Sequence, residues 1–149
     1  MTSDVPAQFS IVTLGVADLE RSARFYRDLG WEQRGDLDQG ITWFKTSGSW
    51  LGLFGHDALA EDTGLEATPQ RDLPAYRGIT LALNLGSREA VDRAFAQVQQ
   101  VGGRVVKAPE PTPWGGYSGY FADPDGHLWE IAHAPAFPID EQGRIDIGG

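Results

Sequence analysis

The residues with the plainest chemical meaning sit in one run, Tyr120-Phe121-Ala122-Asp123-Pro124-Asp125-Gly126-His127-Leu128-Trp129-Glu130-Ile131-Ala132. Glu130 is a carboxylate inside an otherwise apolar, strand-like segment, where an ionised side chain needs a partner or water. Such a group can serve as a general base with its pKa raised by an apolar cleft, ligate a metal, or hold a cationic ligand. Its neighbours His127 and His133 stand at odd spacing, so strand alternation turns them to the opposite face. The third histidine, His56, follows a separate strand and is placed to reach a cavity rim. There is no cysteine, which excludes a thiolate nucleophile, a thiolate metal site and a disulfide framework. No Ser-His-Asp nucleophile arrangement, phosphate loop or dinucleotide fingerprint is present.

The elements that position Glu130 can be read from turn chemistry and periodicity. In Asp123-Pro124-Asp125-Gly126, proline presets φ, the aspartates bond nearby amides, and glycine supplies a positive φ, so the run predicts a β-hairpin. Upstream, residues 9–16 alternate as a strand with Val12, Leu14 and Val16 on one face. Asp18 caps a helix with Leu19, Ser22, Ala23, Tyr26 and Leu29 at helical spacing, closed by Gly30. Strands are predicted at 31–34, 41–46 and 49–54. A connector, 55–76, carries a short helix near 56–60. A strand at 78–85 leads to a helix capped by Ser87, with Val91, Ala94, Phe95, Val98 and Val101 on its apolar stripe and Gly102 at its end. A short strand at 104–107, a proline-rich loop at 108–116 and the hairpin complete the pattern.

Both halves therefore read β-α-β-β-β, an internal repeat. Ile11-Val12-Thr13-Leu14 aligns with Gly78-Ile79-Thr80-Leu81, and Gly48 to Phe54 aligns with Gly126 to Ala132, which places Gly52 opposite Glu130. The whole of 1–149 is expected to form a single α+β domain. Module one spans about 8–54 and module two about 77–133, with a tail at 134–149 docked by Phe137 and Ile139.

Strand parity then predicts the lining of a cleft. With Glu130 inward, Leu128 and Ala132 accompany it, and the repeat adds Trp50, Gly52 and Phe54; Ile11, Thr13, Gly78, Thr80 and Ala82 form the floor. One of Trp43 and Phe44 faces in, as does one of Tyr120 and Phe121, while Trp114 and Tyr117 lie on a loop able to cover the mouth. The candidate ligand-binding residues are Trp50, Phe54, Trp43, Trp114, Tyr117, Glu130, Thr13 and Thr80, with Glu130 the catalytic residue if a reaction is run. An apolar, aromatic-rich cleft with one carboxylate has the usual composition of a small-molecule pocket. The plainer alternative is core packing for the aromatics and a pairing of Glu130 with Arg77 or with the Thr13 or Thr80 hydroxyl.

Leu14-Gly15-Val16-Ala17-Asp18-Leu19-Glu20-Arg21-Ser22 with Phe25 to Gly30, together with Asp123 to His127 and Trp129-Glu130, resembles the two end motifs of the vicinal oxygen chelate superfamily. That superfamily includes glyoxalase I, the bleomycin resistance proteins and the extradiol dioxygenases. The resemblance covers about 8–133 and implies two βαβββ modules whose sheets curl around one cleft, with helices on the outer faces. It carries the superfamily's metal-ligand positions onto Ile11, Gly52, Gly78 and Glu130, of which only Glu130 has a donor side chain, so no metal cofactor is expected. It also implies a homodimer, as in the bleomycin resistance proteins. The expected function is binding or sequestering a small amphipathic or aromatic molecule; the alternative is a lyase or isomerase using Glu130 as general base or in an incomplete metal site.

The formal net charge of −9 excludes the basic face that nucleic-acid binding needs. It is compatible with attracting a cationic small molecule, but solubility alone is the favoured reading of an acidic surface. No long apolar run or basic apolar leader is visible, so a cytoplasmic protein with no membrane partner is expected.

Overall fold

The computed structural model describes residues 3 to 148. Module one comprises β1 (Ile11–Val16), α1 (Leu19–Asp28), β2 (Gln33–Arg34), β3 (Ile41–Phe44) and β4 (Trp50–Gly55); α2 (His56–Thr63) then opens the connector. Module two comprises β5 (Leu81–Asn84), α3 (Arg88–Gln100), β6 (Arg104–Pro111), β7 (Tyr117–Ala122) and β8 (Leu128–His133). Two four-stranded sheets result, in the orders β1-β4-β3-β2 and β5-β8-β7-β6, so the repeat read in the sequence is a repeat of topology. In each, the first and last strands pair in parallel and the other pairings are antiparallel. This is the α+β arrangement of the vicinal oxygen chelate fold. Among the described residues no helix is long and apolar enough to cross a membrane.

Local chemistry sets the helix ends. The Arg21 amide donates to Asp18 Oδ1 at 3.1 Å and the Ala90 amide donates to Ser87 Oγ at 3.1 Å, satisfying donors that each first turn leaves free. Among the boundaries that differ from the sequence reading, two have a plain physical cause. β5 begins at Leu81, because Gly78 has φ +77° and breaks the extended run. β6 runs to Pro111 through the expected loop; it is an edge strand with register shifts between Val105 and Lys107 and between Lys107 and Glu110, where prolines can be carried. In the tail, an Ile139–Ile145 bridge closes a hairpin, and the Ser47 hydroxyl donates to the Gln142 carbonyl at 2.7 Å.

One core serves both modules. Phe25 and Tyr26 on α1 meet Phe121 and Trp129 of the second sheet at ring separations of 6.3 and 6.0 Å, and Trp31 meets Trp129 edge-on at 5.5 Å. Such aromatic pairs contribute about 0.5–1.5 kcal/mol each beyond simple burial. The Asp123–Gly126 turn is keyed into this core. Asp123 Oδ1 accepts the amides of Asp125 (3.0 Å) and His127 (2.9 Å), and its Oδ2 accepts the Tyr26 hydroxyl at 2.6 Å. The Trp129 indole N–H donates back to Tyr26 Oη at 3.1 Å. Asp125 accepts the Ala17 amide (2.7 Å), Arg21 Nη2 (3.0 Å) and the Ser22 hydroxyl, at the positive end of α1. From the other side Arg77 donates to the Asp125 carbonyl at 2.9 Å and to His127 Nδ1 at 3.3 Å, while His127 Nε2 donates to the Gly15 carbonyl at 2.7 Å.

Burial, reinforced by the Asp123 charge, holds the Tyr26 hydroxyl well above the usual phenol range. A group with a raised folded-state pKa contributes its full stability below the unfolded value, near 10, and loses it as pH rises through the folded value. Tyr26→Phe strands the buried Asp123 carboxylate and the Trp129 N–H. It is expected to lose about 1–3 kcal/mol at neutral pH in urea denaturation and to flatten the fall in stability above about pH 10. A wild-type alkaline limb retained in the variant would show that another group carries it.

Candidate functional site

The face of each sheet turned away from the shared core is the candidate site. On the first sheet, alternation sends Phe44, Leu51, Leu53 and Leu14 into the core and leaves Ile11, Thr13, Trp43, Trp50 and Gly52 on the open face. Of the pair left open by parity, Trp43 faces the site and Phe44 is fully buried. On the second sheet Phe121, Trp129 and Ile131 enter the core, and Ala82, Tyr120 and Glu130 stand side by side across three strands of the open face.

Trp43 lies across the first sheet because two glycines let it. A methyl group at Gly35, where φ is +84°, would stand 3.0 Å from Trp43 Cε3. One at Gly52 would stand 3.4 Å from Trp43 Cδ1 and 3.2 Å from both Ile11 Cγ2 and Thr13 Oγ1. The indole thus bridges the two positions, and the space beside Gly52 is already occupied by side chains. Trp43, Trp50, Ile11 and Arg34 line a shallow, open cavity of about 300 Å³. At the other end of this face the first turn of α2 seats on Gly15, where a methyl would lie 3.2 Å from His56 Nδ1. His56 Nε2 donates to the Thr68 carbonyl at 2.7 Å, which ties the connector there. Phe54, half-buried on the same face, lies beside Gly15 in the strand register.

Glu130 is half-buried, and its partner is the hydroxyl of Tyr120, which donates to Oε2 at 3.3 Å. The suggested partners turn elsewhere: Arg77 serves the Asp125–His127 turn, and neither Thr13 nor Thr80 bonds the carboxylate among the described contacts. Burial and then the Glu130 charge raise the Tyr120 hydroxyl above the usual phenol range, so it stays a donor at neutral pH. Alternation alone does not choose between Tyr120 and Phe121; cross-strand pairing with Glu130 places Tyr120 on the open face.

Other predicted site residues fall apart spatially. Thr80 is exposed and, with Ala82, flanks Trp50 along a groove between the β1 and β5 edges. Trp114 is 57% exposed on the β6–β7 turn, its ring folded over Gly116. Tyr117 does not cover a mouth: it points to the helix side, donating to Asp92 Oδ1 at 2.7 Å beneath the Arg88 guanidinium, because it shares the parity of the buried Phe121. No cavity described within the single chain contains both Glu130 and the Trp43–Trp50 pair.

The superfamily's metal fails the same geometry. β5 pairs Ala82 with Glu130 as β1 pairs Thr13 with Gly52, so the counterpart of Ile11 is Thr80 rather than Gly78, which lies outside the strand. The four positions then offer an isoleucine, a glycine packed over by side chains, a threonine hydroxyl and one carboxylate. Among the described residues no group of three or more histidine, aspartate or glutamate side chains could hold an ion. A divalent site takes three or four good donors, so these residues do not fit one.

Gly52→Ala is expected to lose about 1–3 kcal/mol through overpacking against Ile11, Thr13 and Trp43, read as a lower urea midpoint. An unchanged midpoint would mean that the space beside Gly52 is open.

Comparison with known proteins agrees with the fold. Residues 8–131 match the family described as Glyoxalase/Bleomycin resistance protein/Dioxygenase superfamily. A solved structure of a glyoxalase-related enzyme from Fulvimarina pelagi is 32% identical, with 97% of this chain and 100% of that chain covered and a TM-score of 0.84. A glyoxalase/bleomycin resistance protein/dioxygenase from Nocardioides is 28% identical over 89% of this chain and 85% of that one, with a TM-score of 0.73. A fosfomycin resistance protein from Listeria monocytogenes, 24% identical over 87% and 95% of the two chains with a TM-score of 0.66, shares the fold. The chain belongs to the glyoxalase/bleomycin resistance protein/dioxygenase superfamily.

Proposed function

We propose that this protein binds or sequesters a small amphipathic or aromatic molecule on the open face of its sheets, as a cytoplasmic homodimer. One observation carries the reading: two half-exposed tryptophans, Trp43 and Trp50, flank a cavity of about 300 Å³ in the middle of a sheet face where a purely structural protein would be covered. Ile11, 45% exposed at the same place, adds apolar surface that the single chain leaves uncovered. A ligand stacked on the indoles would remove this surface from water, and a second copy would roof it. Glu130, on the open face of the other sheet, lies outside this cavity.

A second reading, an enzyme, has its own observation in the Tyr120–Glu130 pair. A carboxylate held by a protonated phenol on an open, partly apolar face is equipped to take a proton while the phenol returns one. The 32% identical relative is described as an enzyme, which favours keeping this reading.

Light scattering after size exclusion is expected to give twice the chain mass. Calorimetric titration with a library of aromatic metabolites is expected to find binding tighter than millimolar that Trp50→Ala or Trp43→Ala weakens at least about tenfold. A monomer with no binding in that range would overturn the sequestration reading. A turnover lost in Glu130→Gln with ligand affinity intact would replace it by the enzyme.

A further inference from the structure

The open cavity beside the two tryptophans is edged by a cation. Arg34 lies on β2 directly across the ladder from Trp43, so its side chain shares the open face with both indoles. Lining it are Ile11, Arg34, Trp43 and Trp50, with no carboxylate among them. Arg34 Nη1 is bonded to Glu32, whose carboxyl that contact holds below the usual range, so Glu32 is ionised at neutral pH. Glu32 and Arg34 are both about half exposed, and such a pair contributes little and yields to a better partner. Among the described contacts, Nε and Nη2 of the guanidinium have no protein partner. A planar guanidinium with two free N–H directions matches a carboxylate bidentately.

Resting on the binding reading above, we propose that the Trp43–Trp50 cavity selects a planar aromatic anion, an arene or heteroarene carboxylate. The ring stacks on the indoles while the carboxylate is held by Arg34. The net charge of −9 would by itself favour cationic ligands. At contact distance the local guanidinium outweighs that diffuse field, which salt screens over about 8–10 Å. Glu130 lies outside this cavity and does not oppose the anion there. Flatness is selected by the Trp43 indole, whose own bed is the pair of glycines at 35 and 52.

The test compares three isosteric probes on the full chain by titration calorimetry: 2-naphthoate, neutral 2-naphthamide and cationic 2-naphthylmethylammonium. The wild type is expected to bind the anion about tenfold or more tightly than the amide, the range of a charge-assisted hydrogen bond. Arg34→Gln, on an exposed edge strand, is expected to fold normally and to bind anion and amide alike, while Arg34→Lys restores part of the preference. Indole N–H resonances assigned by Trp43→Phe and Trp50→Phe are expected to move with 2-naphthoate. Amide or ammonium binding as tight as the anion, or a preference that survives in Arg34→Gln, overturns the anion proposal and leaves the binding reading standing. Absence of millimolar binding by all three probes overturns both.

Discussion

The structure depends on a buried polar key between the start of α1 and the Asp123–Gly126 turn. Two carboxylates sit nearly inaccessible in an aromatic core, an arrangement that is unfavourable unless both oxygens of each are used in hydrogen bonds. Here they are used. Asp123 takes two turn amides and the Tyr26 hydroxyl, and Asp125 takes an amide, a guanidinium and a hydroxyl from the first turn of α1. Because these groups must be matched together, the two modules have one relative placement instead of a continuum. Both open faces inherit their positions from it.

From that placement follows the division of labour between the sheets. The first sheet presents flat apolar surface with a cation at its margin, and the second presents a carboxylate braced by a phenol. The two are pseudo-equivalent in topology yet opposite in chemistry, Gly52 standing where Glu130 stands. The absence of a side chain at Gly52 leaves room for an indole from the neighbouring strand.

Much of the fold was legible because it rests on local signals. Caps at Asp18 and Ser87, glycines at the ends of helices, and period-two alternation are properties of short windows. The double βαβββ order followed from seeing those signals twice. The misreadings came where a local rule met a tertiary constraint. Prolines in 108–111 argued against a strand, but β6 is an edge, where a missing donor is tolerated. Aligning the repeat by letters put Gly78 beside Ile11, whereas ladder register puts Thr80 there, a shift of two that preserves face and so leaves no trace in parity. Tyr117 follows the Gly115-Gly116 pair, a local loop signal, yet it begins β7 on the helix side. Arg34 escaped notice because β2 is only two residues long and a lone arginine at an edge carries no pattern. Its role is visible only once Trp43 is seen lying beside it.

The prolines and irregular register of β6 have a consequence for how copies of this chain can meet. An outer strand with regular unpaired amides is a template for runaway sheet growth. β6 withholds donors at Pro109 and Pro111 and breaks its spacing twice, while the opposite outer strand, β2, offers only two residues. Of the four rims, these two are therefore poor seeds for fibrils, and sheet growth through them is disfavoured even with tryptophan and isoleucine uncovered on the sheet faces.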